Sequence, residues 1–250
     1  MTAHQVDSRW ISHEATGVPF AFLSRPRQRP EAGVLVLHEA FGLNADIEAL
    51  CRRLAQGGYA ALACDLYWRG PDRLAGYDER SKAIEMLKSL PDVQVLADAA
   101  RGLDLLREEI GGAALGVLGL RIGGRYAILV ASAERRRVSA AVSYYGAGID
   151  GGRISPLWTI NAVEEAQGLA GPLLLFFVGD DPTIPADEVR SIDRRLREFG
   201  AVYEIVRYPG VRPGFVFPGR DTYAPREAED AWGRTLAFLD THLRRATPRN

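Results

Sequence analysis

The sequence predicts an α/β protein built on a mostly parallel central sheet flanked by helices. From about residue 32 onward, short apolar runs alternate with amphipathic segments, which is the pattern of strands joined by crossover helices. The apolar runs are bounded by turn residues, as is typical of buried parallel strands. The strands predicted in this way cover residues 34–37, 60–64, 115–118, 140–144, 173–178 and 203–208.

The segments between these strands carry apolar residues at helical spacing, with polar residues on the opposite face. They predict helices over residues 46–56, 93–109, 124–133, 186–199 and 227–243. The N-terminal segment differs, because residues 10–13 and 18–23 read as an antiparallel hairpin turned at Thr16-Gly17. We expect this hairpin at one edge of the sheet, joined to the first parallel strand by a polar linker over residues 25–30.

Length and charge limit the classes of function. The chain has 250 residues, of which 47% are hydrophobic and 25% charged, so we expect one domain over residues 1–250. A formal net charge of −1 argues against nucleic-acid and membrane partners and leaves a small organic molecule as the expected ligand. The N-terminus has no basic segment followed by an apolar stretch, so a cytoplasmic location is expected. The oligomeric state stays open.

No cofactor is expected. The two cysteines, Cys51 and Cys64, fall on a helix pattern and a strand pattern, and their spacing suits neither a disulfide framework nor a metal site. Their interpretation is core packing. The chain also lacks a dinucleotide fingerprint, a P-loop and any group of His, Cys or Asp at metal-ligand spacing.

Ligands of open α/β sheets bind beyond the carboxyl ends of the strands, so the residues that follow each strand are the functional candidates. The first parallel strand is followed by His38-Glu39-Ala40-Phe41-Gly42-Leu43-Asn44, and the third by Gly119-Leu120-Arg121-Ile122-Gly123-Gly124. The second string has the spacing of a nucleophile elbow, a strained turn between strand and helix that small residues must flank because the backbones pass closely. Its central residue is Arg121.

These segments resemble the dienelactone hydrolase family, and the resemblance extends over roughly residues 10–245. It is carried by the runs Leu35-Val36-Leu37-His38-Glu39, Gly57-Gly58-Tyr59, Asp65-Leu66-Tyr67, Tyr144-Tyr145-Gly146, Gly179-Asp180-Asp181-Pro182-Thr183-Ile184-Pro185, Tyr208-Pro209-Gly210, Gly214-Phe215, Tyr223 and Ala228-Glu229-Asp230-Ala231-Trp232. The resemblance implies an α/β-hydrolase fold with a catalytic cysteine, histidine and acid.

Two of those catalytic positions are replaced. The family's cysteine falls on Arg121 and its histidine on Pro213, whereas the acid is kept as Asp181 and the family's glutamate beside the nucleophile is kept as Glu39. A guanidinium with a pKa above about 12 cannot act as a nucleophile, and proline carries no titratable proton. Cysteine-histidine acyl transfer is therefore unavailable. His38 is the one histidine near the expected site, and we interpret it as a residue that contacts substrate.

Arg121 and Glu39 are expected to lie close together, and two interpretations of this pair stay open. One is an ion pair that satisfies a partly buried carboxylate, since leaving such a charge unpaired is costly. The other is that Arg121 binds an anionic or enolate-like oxygen of a ligand, for which its planar fork is suited.

The remaining candidates also have a structural and a functional interpretation. Asp181 either braces the loop before the helix that begins near residue 186 or acts as a base or hydrogen-bond acceptor. Because consecutive strand residues point to opposite sides, one of Tyr144 and Tyr145 should face the pocket, and Tyr145 is the candidate. An aromatic rim and one arginine of the long loop over residues 209–225 complete the candidate set as substrate contacts: Phe41, Trp68, Trp158, Phe215 and Arg212.

Three functional hypotheses follow. The first is a non-hydrolytic cyclase, isomerase or lyase acting on a bulky organic or polyketide-like metabolite, in which Arg121 stabilises negative charge, Glu39 or Asp181 transfers a proton and Tyr145 orients the substrate. The second is a catalytically silent binding or scaffolding protein. The third is residual ester or lactone hydrolysis through water activated by Glu39 or Asp181.

Overall fold

A computed structural model describes residues 4–151, 155–179 and 181–244. It contains an eight-stranded sheet in the order β1-β2-β4-β3-β5-β6-β7-β8, and only the first two strands run antiparallel to their neighbours. The strands are β1 (Val6–Ser12), β2 (Pro19–Pro26), β3 (Ala32–Leu37), β4 (Tyr59–Cys64), β5 (Leu115–Leu120), β6 (Val138–Tyr144), β7 (Leu173–Val178) and β8 (Tyr203–Tyr208). The predicted fold class, with its antiparallel hairpin at one edge, is confirmed.

Helices cover both faces of this sheet. They are α1 (Ala45–Gln56), α2 (Arg80–Lys88), α3 (Asp92–Ile110), α4 (Ile122–Ala133), α5 (Ala162–Glu165), α6 (Ala186–Glu198) and α7 (Pro225–Leu243). One apolar layer packs against α1 and α7, and the other packs against α3, α4 and α6. Among the helices of the described ranges, none is both long and apolar enough to cross a membrane.

The differences from the predicted elements have local causes. Strand β2 runs to Pro26, into the segment predicted as a linker, because its residues pair with β1 in register from Val6 to Ile11. Helix α2 was not predicted, since only a few of its residues, such as Met86 and Leu87, are buried and no side chain caps its N-terminus. Strand β8 is the least apolar strand because it lies at the sheet edge and is only partly covered.

The topology brings the carboxyl ends of β3, β5, β6 and β7 to one edge of the sheet, next to the loop that follows β8. Of the residues selected from the sequence, Glu39, Arg121, Tyr145 and Asp181 lie within three positions of the ends of these strands. Asp180, which belongs to the predicted acid loop, lies outside the described residues.

Candidate active site

The turn between β5 and α4 has the geometry of a nucleophile elbow. Strand β5 ends at Leu120, α4 begins at Ile122, and Arg121 alone makes the turn with φ 55° and ψ −114°. This is a sparsely populated backbone conformation for a residue with a side chain, with a cost of order 1–3 kcal/mol that the surrounding structure must offset. A Cβ at Gly119 would lie 1.8 Å from the carbonyl oxygen of Gly123, so the strand and helix backbones meet only because this position is glycine.

Backbone hydrogen bonds hold the elbow in place. The Arg121 N–H donates to the carbonyl of Tyr144 at 2.9 Å, and the Arg121 carbonyl accepts from the N–H groups of Gly124 at 3.0 Å and Ala147 at 3.2 Å. The N–H of Ile122, the first residue of α4, has no acceptor within the helix. In elbow sites the N–H after the central residue is one donor of the oxyanion hole, and the second comes from the loop after the first parallel strand.

The Arg121 side chain pairs with Asp181. Its guanidinium donates to both carboxylate oxygens of Asp181, one of them at 3.3 Å, and also to the hydroxyl of Thr183. Asp181 is nearly inaccessible, and it also accepts from the Thr183 N–H and hydroxyl, both at 2.9 Å. The carboxylate therefore both braces its own loop, which leads into α6, and neutralises the arginine at the elbow.

Glu39 pairs with a different arginine. The guanidinium of Arg220, from the loop after β8, donates to the Glu39 carboxylate and lies over the rings of Phe41 and Tyr77, at 5.3 Å and 4.3 Å from the ring centroids. A Cβ at Gly214 would lie 2.5 Å from the guanidinium carbon of Arg220, so the arginine fills space directly beside Pro213, where the resemblance to the family predicts a histidine position. The expected Arg121–Glu39 ion pair is thus replaced by two pairs, because loop conformations supply each charge with a nearer partner.

Burial controls the protonation of this cluster. Desolvation raises the pKa of the Glu39 carboxyl, and the positive charges of Arg220 and Arg121 act in the opposite direction. Tyr145 follows β6 with φ 39°, and its side chain is fully buried. Burial raises the pKa of its phenol well above the usual value, so the hydroxyl is a neutral donor at physiological pH. Among the described residues this hydroxyl has no hydrogen-bond partner, although Glu39, Arg220 and Arg121 are its charged neighbours.

Tyr144 and Tyr145, at the end of β6, are both buried, which differs from the expectation of one buried side chain and one that faces the pocket. Tyr144 faces α7, where its hydroxyl bonds with the Thr235 hydroxyl at 2.6 Å. Tyr145 lies in the same apolar layer, with its ring centroid 6.3 Å from that of Tyr144 and 5.8 Å from that of Phe215, because its positive φ ends the alternation of the strand. Phe215 is itself fully buried, so its place is the wall of this cluster and not an open rim.

His38 is fully buried and both ring nitrogens are bonded to backbone. Nδ1 donates to the carbonyl of Glu39 at 2.7 Å, and Nε2 accepts from the N–H of Leu66 at 3.0 Å. Desolvation lowers its pKa, which keeps the ring neutral. The imidazole therefore joins the loops after β3 and β4, and in this structure neither nitrogen is available to a substrate.

The remaining predicted contacts do not join the cluster. Trp68 stacks on His13 at 4.5 Å between ring centroids and donates to Asp98 at 3.2 Å, which places it in the layer under α3. Trp158 is 1% exposed and packs over the guanidinium of Arg125. That arginine is held by Asp92 in a buried ion pair at 2.7 Å. These two tryptophans are interior side chains and not a rim.

Arg212 is exposed and donates to the carbonyl of Asp221 at 3.1 Å within its own loop, which fits the alternative of a solvated surface charge. The arginine of this loop that reaches the cluster is Arg220, which pairs with Glu39.

Arg220, Thr183 and Tyr77 are the cluster residues absent from the predicted set. The signal for Arg220 was a second arginine in a long proline-containing loop over the expected site, whereas Tyr77 lies in a segment with no predicted element.

The cluster offers two guanidinium groups, two carboxylates, a phenol without a partner among the described residues, and the Ile122 N–H of the elbow. It can bind an anionic or developing negative oxygen, and Glu39 can exchange a proton. It contains no nucleophilic thiol, because Cys51 and Cys64 are buried elsewhere and burial raises the pKa of both. In the described part of the chain, no group of three or more His, Cys, Asp or Glu side chains is arranged to hold a metal ion.

Comparison with known proteins connects this site to one family. The model of the dienelactone hydrolase family matches residues 20–243. A Yersinia pestis protein named "Putative carboxymethylenebutenolidase" is 32% identical over 231 residues, which cover 91% of this chain and 85% of that protein. A Bradyrhizobium protein named "Probable 2-oxo-3-(5-oxofuran-2-ylidene)propanoate lactonase" is 30% identical over 253 residues, covering 97% of this chain and 98% of that protein.

A solved structure gives the same result. The crystal structure titled "Putative Dienelactone Hydrolase" from Klebsiella pneumoniae superposes with a TM-score of 0.86 at 31% identity, over 96% of this chain and all of the other. The hypothesis of a non-hydrolytic cyclase, isomerase or lyase is therefore wrong, since the relatives carry the names of hydrolases. The chain belongs to the dienelactone hydrolase family.

Proposed function

We propose that this protein hydrolyses an unsaturated lactone or related ester that bears a carboxylate, with water as the nucleophile. The observation that carries the proposal is the elbow itself: the strained turn and the first N–H groups of α4 are kept, with Glu39 beside them. A chain that needed only the fold would have no use for a strained residue at this turn, since strain of this kind concentrates at functional sites.

The substrate class comes from the names of the relatives and the charges of the cluster. Both names describe five-membered unsaturated lactones with a carboxylate, and in the furan-ylidene compound the ring oxygen is bonded to the carbon of the exocyclic double bond. The guanidinium groups of Arg121 and Arg220 are suited to such a carboxylate. Opening an enol lactone releases an enolate, which is a better leaving group than an alkoxide. A weaker nucleophile such as water is therefore sufficient for this substrate class.

The reaction then requires three contributions from this chain. The Glu39 carboxylate takes a proton from a water molecule as the water oxygen bonds to the lactone carbonyl carbon. The N–H of Ile122 and the guanidinium of Arg121 stabilise the negative carbonyl oxygen that forms. When the ring C–O bond breaks, the proton on Glu39 passes to the enolate oxygen, and the products are a carboxylate and an enol, with one proton released to solvent.

Arg220 and Tyr145 position these groups. Arg220 holds the Glu39 carboxylate, and its stacking on Phe41 and Tyr77 fixes the guanidinium. Substrate binding would place an acceptor opposite the Tyr145 hydroxyl, which otherwise stays buried without a partner among the described residues. Leaving a buried hydroxyl unsatisfied costs about 1–3 kcal/mol, so a ligand that bonds to it gains that amount relative to one that does not.

The test is hydrolysis of carboxymethylenebutenolide, followed by the loss of its ultraviolet absorbance, with the purified wild-type protein and two variants. Glu39→Gln keeps the size of the side chain and removes the base, so the rate should fall by about 10²–10⁴-fold. Arg212→Gln changes an exposed arginine that pairs within its own loop and should leave the rate unchanged.

Intact-protein mass spectrometry during turnover separates the mechanisms, because attack by water leaves no acyl group on the protein. A covalent adduct would refute the role given to water. Binding of the lactone without any turnover by the wild-type protein would refute the hydrolase and identify a binding protein instead.

A further inference from the structure

A cavity lies next to the cluster, between α1, α7 and the loop after β8. Its volume is about 200 Å³, and its lining is mainly apolar. The floor is formed by Leu120 and Tyr144, which are 1% and 4% exposed. The walls come from Leu50 of α1, Trp232 of α7 and Phe217 of the loop. None of these residues belongs to the catalytic cluster, although Leu120 and Tyr144 directly precede Arg121 and Tyr145.

The size and lining of the cavity define its occupant. The cavity is partly open to solvent, and its volume of about 200 Å³ with a mainly apolar lining accommodates a one-ring to two-ring aromatic molecule. Trp232 and Phe217 supply aromatic surface for contact with such a ring. A water cluster would find few partners here, because the Tyr144 hydroxyl already bonds to the Thr235 hydroxyl and the Ala231 carbonyl.

The rim selects the charge of the occupant. Asp46 and Glu229 place two carboxylates at the mouth, and Arg53 is the one cation among the described residues that line it. The Arg53 guanidinium is already paired, since it donates to both oxygens of Glu229 at 2.7 Å and 2.9 Å and lies 4.3 Å from the centroid of the Trp232 ring. The mouth therefore carries a net negative charge, which disfavours an anionic ligand.

We infer that this cavity is a second binding site, which takes a small neutral aromatic compound of indole size and excludes its carboxylate analogues. The inference rests on the cavity alone and stands whether or not the protein is a hydrolase.

The test uses 5-fluoroindole as the probe and ¹⁹F NMR titration of the full chain as the readout. Ala49→Phe adds a ring at an exposed helix position on the edge of the cavity and should weaken binding by at least about tenfold. Ala237→Phe is the matched control, because it adds the same ring to an exposed position of α7 that does not line the cavity. It should bind the probe like the wild-type protein.

A second probe, 5-fluoroindole-2-carboxylate, tests the rim and should bind more weakly than 5-fluoroindole. The inference is overturned if the wild-type protein shows no saturable binding of 5-fluoroindole or if Ala49→Phe binds it as well as Ala237→Phe does. Equal or tighter binding of the carboxylate would overturn the selection by charge. Far-ultraviolet circular dichroism of both variants verifies that they are folded, so a lost signal reports the cavity.

Discussion

Replacing Arg121 by methionine should destabilise the protein through the carboxylate that it leaves behind. In the folded chain the Asp181 side chain is 1% exposed, and Arg121 is its only cationic partner among the described residues. Methionine keeps much of the length of the side chain and removes the charge. Asp181 would then be a buried carboxylate with two donors, the N–H and the hydroxyl of Thr183.

The magnitude follows from those contacts. Removing one partner of a buried ion pair costs about 3–5 kcal/mol. The two Thr183 donors remain at 2.9 Å and the arginine side chain is 21% exposed, which admits water, so the expected loss is about 3 kcal/mol. For a chain of this size, 1 kcal/mol corresponds to about 2–4 °C in Tm, so the loss should appear as a decrease of about 6–12 °C.

The assay is a double-mutant cycle measured by urea and thermal unfolding. It comprises the wild-type protein, Arg121→Met, Asp181→Asn and the double variant, and the two side chains should show a coupling energy of about 2 kcal/mol. Asp181→Asn removes the carboxylate charge that Arg121→Met leaves without a cationic partner. The double variant should therefore recover much of the stability lost in Arg121→Met. Arg212→Met serves as a control, because its pair with Asp221 is exposed and the Tm should hardly change.

Two results would refute this reasoning. A Tm of Arg121→Met within measurement error of the wild type would mean that Asp181 does not depend on the arginine. Additive effects in the cycle would mean that the two side chains are not coupled, and Arg121 would then be free to serve the ligand alone.

Three further predictions concern pH and the missing catalytic pair. Because burial raises the pKa of Glu39 and its ionised form is the proposed base, the hydrolysis rate should fall as pH decreases, with a midpoint above 4.5; a midpoint at or below 4.5 would exclude Glu39. Partial burial raises the pKa of Glu188 to about 7, so the folded state takes up a proton that the unfolded state releases, and stability should fall as pH rises from about 4.5 to 7. Glu188→Gln should flatten that dependence in Tm measured across this range, and an unchanged slope would contradict it. Restoring the family pair with Arg121→Cys and Pro213→His beside Asp181 should increase ester hydrolysis and give a thiol that iodoacetamide inactivates; a rate no higher than wild type would show that the site no longer supports covalent catalysis.

The order of strands and helices could be read from the chain because it depends on local periodicity. A run such as Leu173–Val178 is apolar at every position and fully buried, as expected for a central parallel strand. The elbow could also be located, since Gly119 and Gly123 mark a close backbone approach at fixed spacing around Arg121. The resemblance to the family also predicts that its catalytic cysteine and histidine fall on positions 121 and 213, which stays a prediction.

The partners of the charged groups were decided only by the tertiary structure. Arg121 meets Asp181 across 60 positions of sequence, and Arg220 meets Glu39 across 181 positions, through loops whose paths no local pattern specifies. The tertiary structure also decided which of the predicted rim residues are buried. Trp68 and Trp158 lie in segments whose pattern suits a pocket rim, but packing under neighbouring helices places both side chains in the interior. Hydrophobic periodicity is a local property of the chain, whereas the choice among several arginines for one carboxylate depends on distances that exist only after folding.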